Sequence, residues 1–175
     1  DALTMTLDGT HLKTGANTIC LTHDGKGELP YSGVITYRTK KPPSAPDALV
    51  ELTTTIDKTT MKMGDTVRVW ATVKNKTAAG LPMTLARVGL PGGLTFQTWQ
   101  LKELREKGEI AFWETRPREV ILYLRHMAPN EEKKIPIDLV ATVAGEYTGP
   151  ASQAYLYYSD DKRVWNDAFH VVIEP

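Results

Sequence analysis

The chain has 175 residues, enough to bury a sizeable core as one domain or one and a fraction. Lysine plus arginine equals aspartate plus glutamate at 21 each, so no global field favours nucleic acid or an anionic membrane surface as a partner. Hydrophobic residues make up 41%, yet no run approaches the ~20 apolar residues of a membrane span, and the N-terminus carries neither a signal peptide nor a basic targeting stretch.

The chain opens on strand-like "ALTMTL" without an initiating Met, the expectation for a piece of a longer protein. Residues 3–7, 17–22 and 31–39 pattern as three strands, separated by "DGTHLKTG" and "HDGKGELP", both rich in glycine and polar turn formers. Three strands make a poor domain alone, so residues 1–40 are expected to be the remaining part of a β domain or to pair with the downstream chain. Cys20 is the single cysteine, which excludes an internal disulfide and a thiolate metal cage. Lying between Ile19 and Leu21 in a strand pattern, it is expected to be a buried, inert core thiol. "KKPPSAPD", Lys40 to Asp47, reads as a proline-stiffened linker with the domain boundary at about Ala45.

From Ala48 onward strands are expected at Leu49–Ile56, Thr66–Lys74, Met83–Val88, Ile110–Glu114, Val120–Met127, Lys134–Val143, Ala154–Tyr158 and Ala168–Ile173. This spacing belongs to an all-β sandwich. Val67, Val69, Ala71 and Val73 alternate with Arg68, Trp70, Thr72 and Lys74, placing Trp70 on the face opposite the buried one. Asn75–Gly80 supplies turn chemistry, and Asn75-Lys76-Thr77 matches a glycosylation acceptor motif. Pro91-Gly92-Gly93 then breaks the strand before one polar segment, Thr98–Lys107, that can coil. In that segment Leu101 and Leu104 face inward, Glu103 and Lys107 form an i, i+4 pair, and Gly108 suits the left-handed position after the helix. A lone helix inserted between strands points to a sandwich whose edge or end the helix bridges.

Three features in this order carry a resemblance: "VKNKTAAGLPMTLARVGLPGGL" with the helix after it, then "REVILYLRHM", then "ASQAYLYYSDDKRVW". Together they resemble the C-terminal receptor-binding domain of the alpha-2-macroglobulin and complement family of thioester proteins. Tyr155, Tyr157, Tyr158, Asp160 and Asp161 look like that domain's closing motif. The resemblance covers about residues 46–175, while "GELPYSGVITYRTKKPPSAPD" resembles the exit from a preceding CUB-type domain. It implies a macroglobulin-like, Ig-like antiparallel β-sandwich with one short helix at 46–175, preceded at 1–45 by the C-terminal part of a CUB-type β domain and linker. The family's Cys-Gly-Glu-Gln thioester motif is absent, and Cys20 lacks the disulfide partner that mammalian members place here, a departure that fits the bacterial branch.

What the resemblance implies functionally is a non-enzymatic module of a protein that traps proteases, packed beside other domains of its parent, especially the thioester domain. It also implies an extracellular, periplasmic or cell-surface location. Family members that bind a clearance receptor use two helical lysines four residues apart, and the matching positions are Thr98 and Lys102, with Arg105 on the same face. A protein receptor or a trapped protease is thus a possible partner, set against the plain reading of a solvated helix face. Asp160 and Asp161 fall short of a calcium site and fit a charged pair protecting a strand edge. His11, His23, His126 and His170 lack metal-ligand spacing, no Gly-x-Ser-x-Gly elbow occurs, and no cofactor or catalytic residue is assigned. The four tryptophans and seven tyrosines could line a carbohydrate platform, with Trp70 the best candidate for an exposed position, although core packing is the default for large aromatics. The rival functions are an Ig-like adhesion or carbohydrate-binding module of a bacterial surface protein and an accessory domain of a hydrolase.

Overall fold

The computed structural model describes residues 4–175, which separate into two units with the boundary between Tyr37 and Arg38. The first residue of the strand expected at 3–7 lies outside the described residues. In the first unit the described residues form a single 3-10 turn, Gly9–His11, started by Asp8, whose carboxylate accepts from Thr10 N at 3.0 Å. Among the described residues none of the three expected strands forms. Met5, Ile19, Leu21, Val34 and Ile35 are exposed, between 62% and 90%, and Cys20 is exposed too, contrary to the expected core thiol. The cause is physical: an alternating run buries one face only when a second layer packs on it, and here none does.

The second unit runs β1 (Val50–Ile56), β2 (Thr60–Lys62), β3 (Thr66–Asn75), β4 (Thr84–Gly89), β5 (Leu94–Phe96), α1 (Thr98–Glu106), β6 (Phe112–Arg116), β7 (Glu119–Leu124), β8 (Glu132–Ala141), β9 (Gly145–Thr148), β10 (Ser152–Leu156), β11 (Ser159–Asn166) and β12 (His170–Glu174). One sheet has the order β1-β3-β8-β5, a second β11-β10-β4-β7-β6, and a small third β2-β12-β9. The first two are antiparallel throughout, and β12 meets β2 in parallel. Val67, Val69, Ala71 and Val73 from β3, Ile135, Ile137 and Leu139 from β8, and Ala86, Val88, Val120, Leu122 and Leu124 from the other sheet meet in one core. The fold is a β-sandwich with one short helix, as the strand spacing and the single coil-forming segment predict. Met61, Val171 and Ile173 carry the small sheet onto the same core.

α1 closes one side of the sandwich. Gln97 N donates to Asp138 O at 3.2 Å, and the Gln100 side-chain oxygen accepts from Asp138 N at 2.7 Å, so the helix takes over the β8 edge where β5 stops pairing. Leu101 and Leu104 are buried at 0% and 7% exposure, each contributing about 1.5–3 kcal/mol. Lys107 pairs with Glu103 at 2.6 Å, and Gly108 adopts φ 74°, the left-handed conformation that ends a helix without a Cβ penalty. Gly93 in the corner before β5 has φ 73°, and a Cβ there would meet Val143 O at 2.7 Å.

The opposite side is closed by polar groups. Asn166 Oδ1 accepts from Thr54 Oγ1 at 2.7 Å, tying β11 to the edge strand β1. The proline-rich stretch read as a linker runs along β11. Ala45 N donates to Arg163 O at 2.8 Å, Trp165 N donates to Ser44 Oγ at 2.9 Å, and Lys41–Asp167 and Lys162–Asp47 ion pairs flank them. Prolines suit this place because they cover a strand edge without offering a new one.

Candidate docking surfaces

Thr98, Lys102 and Arg105 are all exposed on α1, as their i, i+4 and i+7 spacing predicts. The structure brings only two of them into a hollow. Lys102 and Arg105 line a depression of about 480 Å³ with Glu106 and Trp113, and Thr98 lies outside its lining. Arg105 also lines a second depression of about 470 Å³, between the end of α1, the start of β6 and the ends of β7 and β8. There it joins Arg125, His126, Lys133 and Glu109, above buried Ile110 and Leu124. Among the described residues Lys102, Arg105 and Arg125 make no ion pair, whereas Lys133 reaches Glu131 at 3.3 Å. Sequence reasoning missed Arg125, His126 and Lys133 because strand register, not sequence spacing, brings them to Arg105.

A second surface lies on the outward face of the five-stranded sheet. Leu85, Ile121 and Tyr155 form a small cluster there, with Met83 and Tyr123 packed against it and separated from the main core by the sheet itself. Phe112 stacks edge-on against Tyr123 with ring centroids 5.7 Å apart. Tyr157 and Tyr158, 50% and 84% exposed, pair at 5.0 Å in the turn between β10 and β11. Charged groups hold the rim: Arg87 makes a two-point pair with Glu119 at 2.5 and 3.2 Å, and its guanidinium is held above the ordinary range by that carboxylate. Tyr123 donates to Glu114 at 2.5 Å, and this bond, with burial, pushes the phenol up to about 12. Arg163 lies 4.7 Å over the Tyr155 ring and bonds Asp160 at 2.8 Å. Asp160 is therefore engaged in the turn, and among the described residues no three of His, Cys, Asp and Glu converge as a metal site would require.

The remaining candidates have structural occupations. Trp70 is half-buried on the outer face of the four-stranded sheet, with Lys134 Nζ 4.6 Å and Arg68 5.3 Å from its ring centroid. Arg68 is itself locked to Asp138 at 2.5 and 2.8 Å. Cations thus occupy the ring where a sugar would stack, and the exposed tryptophan is Trp99 on the helix, at 59%. Asn75 is fully buried; its amide donates to Ala79 O at 2.7 Å and Ala128 O at 2.8 Å, so the acceptor motif is a turn lock closed to a glycan. No helix among the described residues is long and apolar enough to cross a membrane.

The family model described as the bacterial alpha-2-macroglobulin MG10 domain matches residues 38–161. Among solved structures, Salmonella alpha-2-macroglobulin reacted with methylamine is similar, with 18% identity and a TM-score of 0.61 over 77% of this chain and 10% of that one. A fragment of native alpha-2-macroglobulin from Escherichia coli is similar at 18% identity and TM-score 0.59, over 77% of this chain and 25% of that one. The native conformation of the E. coli protein is similar at 17% identity and TM-score 0.62, over 77% and 10%. The chain therefore spans a small part of the proteins it resembles. No curated protein sequence matches it.

Proposed function

This chain belongs to the bacterial alpha-2-macroglobulin MG10 domain family, and from that premise we propose that it is a non-enzymatic docking module of a protease-trapping thioester protein. Its own task is to pack against other domains of the parent, above all the thioester-bearing one, and to display a surface to partners. The observation that carries this reading is the aromatic outer face of the five-stranded sheet. Phe112, Tyr157 and Tyr158 leave large rings in water around the apolar cluster of Leu85, Ile121 and Tyr155, framed by ion-paired rim residues. An apolar centre with a polar rim is the anatomy of an interface.

The exposed hydrophobic rows of the first unit support reading residues 1–45 as the closing part of a CUB-type domain whose sheet partners lie elsewhere in the parent. An extracellular, periplasmic or cell-surface location goes with this reading. The adhesion or carbohydrate-binding alternative is not favoured, since the Trp70 ring is already covered by cations. Partner binding by the helix face is a second reading, favoured by the joint exposure of Lys102 and Arg105 at one hollow.

Hydroxyl-radical footprinting of the chain alone and within the intact parent protein tests the docking face. Phe112, Tyr157 and Tyr158 are expected to be oxidised readily in the isolated chain and protected in the parent. Equal oxidation in both would exclude this face as an interdomain contact.

A further inference from the structure

We propose that β6 is a docking edge, at which an extended segment of a separate partner protein, with apolar residues at alternate positions, pairs with the strand and prolongs the five-stranded sheet. This goes beyond the interdomain reading, which concerns the face of that sheet, so each can fail alone.

An uncovered sheet edge invites pairing with another chain, and folded proteins therefore cover, charge or shorten it. Three of the four outer strands in the two large sheets are finished in this way. On β1 the Asn166 side chain accepts from Thr54 N at 3.3 Å and donates to Leu52 O at 3.4 Å. β11 carries Asp160, Asp161 and Lys162 and lies against Ser44 and Ala45. β5 has three residues and is followed closely by α1. β6, Phe112–Arg116, has no such cover; it contains neither proline nor lysine, and its Glu114 is turned onto Tyr123.

The ladder settles which β6 amides face outward. Ala111 N donates to Tyr123 O, whereas Leu90 N donates to Arg118 O, so Glu119, Ile121 and Tyr123 face β6 and the residues between them face β4. Their partners Arg116, Glu114 and Phe112 spend their amides on β7. The N–H and C=O of Trp113 and Thr115 therefore point away from the sheet, where they meet no backbone partner among the described residues.

Beside this edge is the hollow of about 480 Å³ that Trp113 shares with Lys102, Arg105 and Glu106 of α1. Trp113 packs against the main core, while Phe112 meets Tyr123 on the outer face. An incoming strand puts alternate side chains into the hollow against Trp113 and onto the outer face beside Phe112. The nearby charges are mixed, Lys102 and Arg105 with Glu106, and Arg116 with Glu114, so the two rings rather than a field set the preference, which is apolar. A second copy of this chain is a poor occupant. The antiparallel β6-to-β6 register that uses the outward amides of both Trp113 and Thr115 is centred on Glu114 and sets two carboxylates face to face.

The test is amide hydrogen exchange by NMR on the full 175-residue chain, with a lysine-tailed peptide of Val and Leu alternating with Thr as the probe. In the chain alone, and in the intact parent, Trp113 and Thr115 are expected to exchange fast and Glu114 slowly. Saturating peptide should slow Trp113 and Thr115 and leave Glu114 unchanged, and the fully N-methylated peptide should slow neither. Thr115→Pro removes one outward N–H without touching the β7 ladder, so at unchanged melting temperature it should weaken the peptide about tenfold or more in fluorescence anisotropy. Thr115→Val, which keeps the amide, and Lys102→Ala, which alters only the helix, should stay within about twofold. Absence of peptide binding, equal binding of the N-methylated peptide, undiminished binding by Thr115→Pro, or an equal loss with Lys102→Ala would each overturn the proposal. So would slow exchange of Trp113 and Thr115 in the chain alone or in the intact parent, since the edge would then already be occupied.

Discussion

Residues 4–37 and 38–175 present the same kind of sequence and end in opposite states. "ALTMTL" and "NTICLTH" alternate apolar and polar side chains much as "VRVWATV" does, yet Ile19 and Leu21 are 62% and 65% exposed while Val67 and Val69 are 2% and 0%. The difference is partnership. β3 has ladders on both sides, to β1 and β8, and a second sheet beneath it, whereas residues 17–22 have neither among the described residues. Alternation states that a run fits a half-buried pleated surface; it does not supply the other half.

The largest way to break this contrast is a cavity. Leu101→Ala is expected to cost about 2–5 kcal/mol in urea unfolding, because the side chain is fully buried beneath α1. Leu21→Ala should change stability by less than about 0.5 kcal/mol. Comparable losses at both sites would mean that the first unit packs as tightly as the second.

Asparagine sharpens the comparison at constant chemistry. Asn75 bonds Ala79 O, Ala128 O and Thr77 N inside the sandwich, and Asn17 bonds Lys13 O, Gly15 O and Lys13 N in an exposed turn. Asn75→Ala should cost about 1–2 kcal/mol, since two part-buried hydrogen bonds that lock the turn are lost and a small void opens at the buried side chain. Asn17→Ala, whose partners can turn to water, should stay within about 0.5 kcal/mol by the same measurement.

Truncation locates the border between the two regimes. Removing residues 1–37 should leave the melting temperature of the sandwich unchanged. Removing 1–47 deletes the Ser44 and Ala45 bonds to β11 and should cost about 1–3 kcal/mol. If both truncations melt alike, the border belongs at about Ala45, as the proline content of the stretch predicts.

Acid gives a smaller, signed effect. The Ala128 N–H, 2.6 Å away, holds the Glu131 carboxyl below its ordinary value of 4.5. Its contribution is therefore present above about pH 4.5 and is lost as pH falls through the lowered native value. Glu131→Gln should flatten the fall in unfolding free energy below that pH. Asp8 is also held low, by the Thr10 hydroxyl, but it sits in the exposed first unit, so Asp8→Asn should leave the global curve unchanged. A steeper curve in Glu131→Gln would contradict the sign. Smallest of all, Lys102→Ala should shift stability by only a few tenths of a kcal/mol, because the side chain is exposed on α1.

Much of the sandwich was legible locally. The β1, β3, β4, β7 and β8 runs bury alternate or successive apolar residues, and their expected limits fall within a few residues of the observed ones. Leu101, Leu104, Glu103–Lys107 and Gly108 marked the helix and its end because those signals operate within one or two turns. β11 was not legible: "SDDKRVWN" has no fully buried residue and is held by β10, Asn166 and the 44–45 strap rather than by a core stripe. β2 and β5, three residues each, are too short to show a period, and parallel pairing of β2 with β12 joins segments more than a hundred residues apart.

The amino-acid sequence by itself thus determined the β class and the helix, because these rest on local periodicity and turn chemistry. The tertiary structure alone decided which alternating runs became strands, that Cys20 is exposed and Asn75 buried, and that Arg125 and Lys133 line one depression with Arg105. Burial and electrostatic grouping are properties of surfaces brought together by register and packing, and no single stretch of chain carries them.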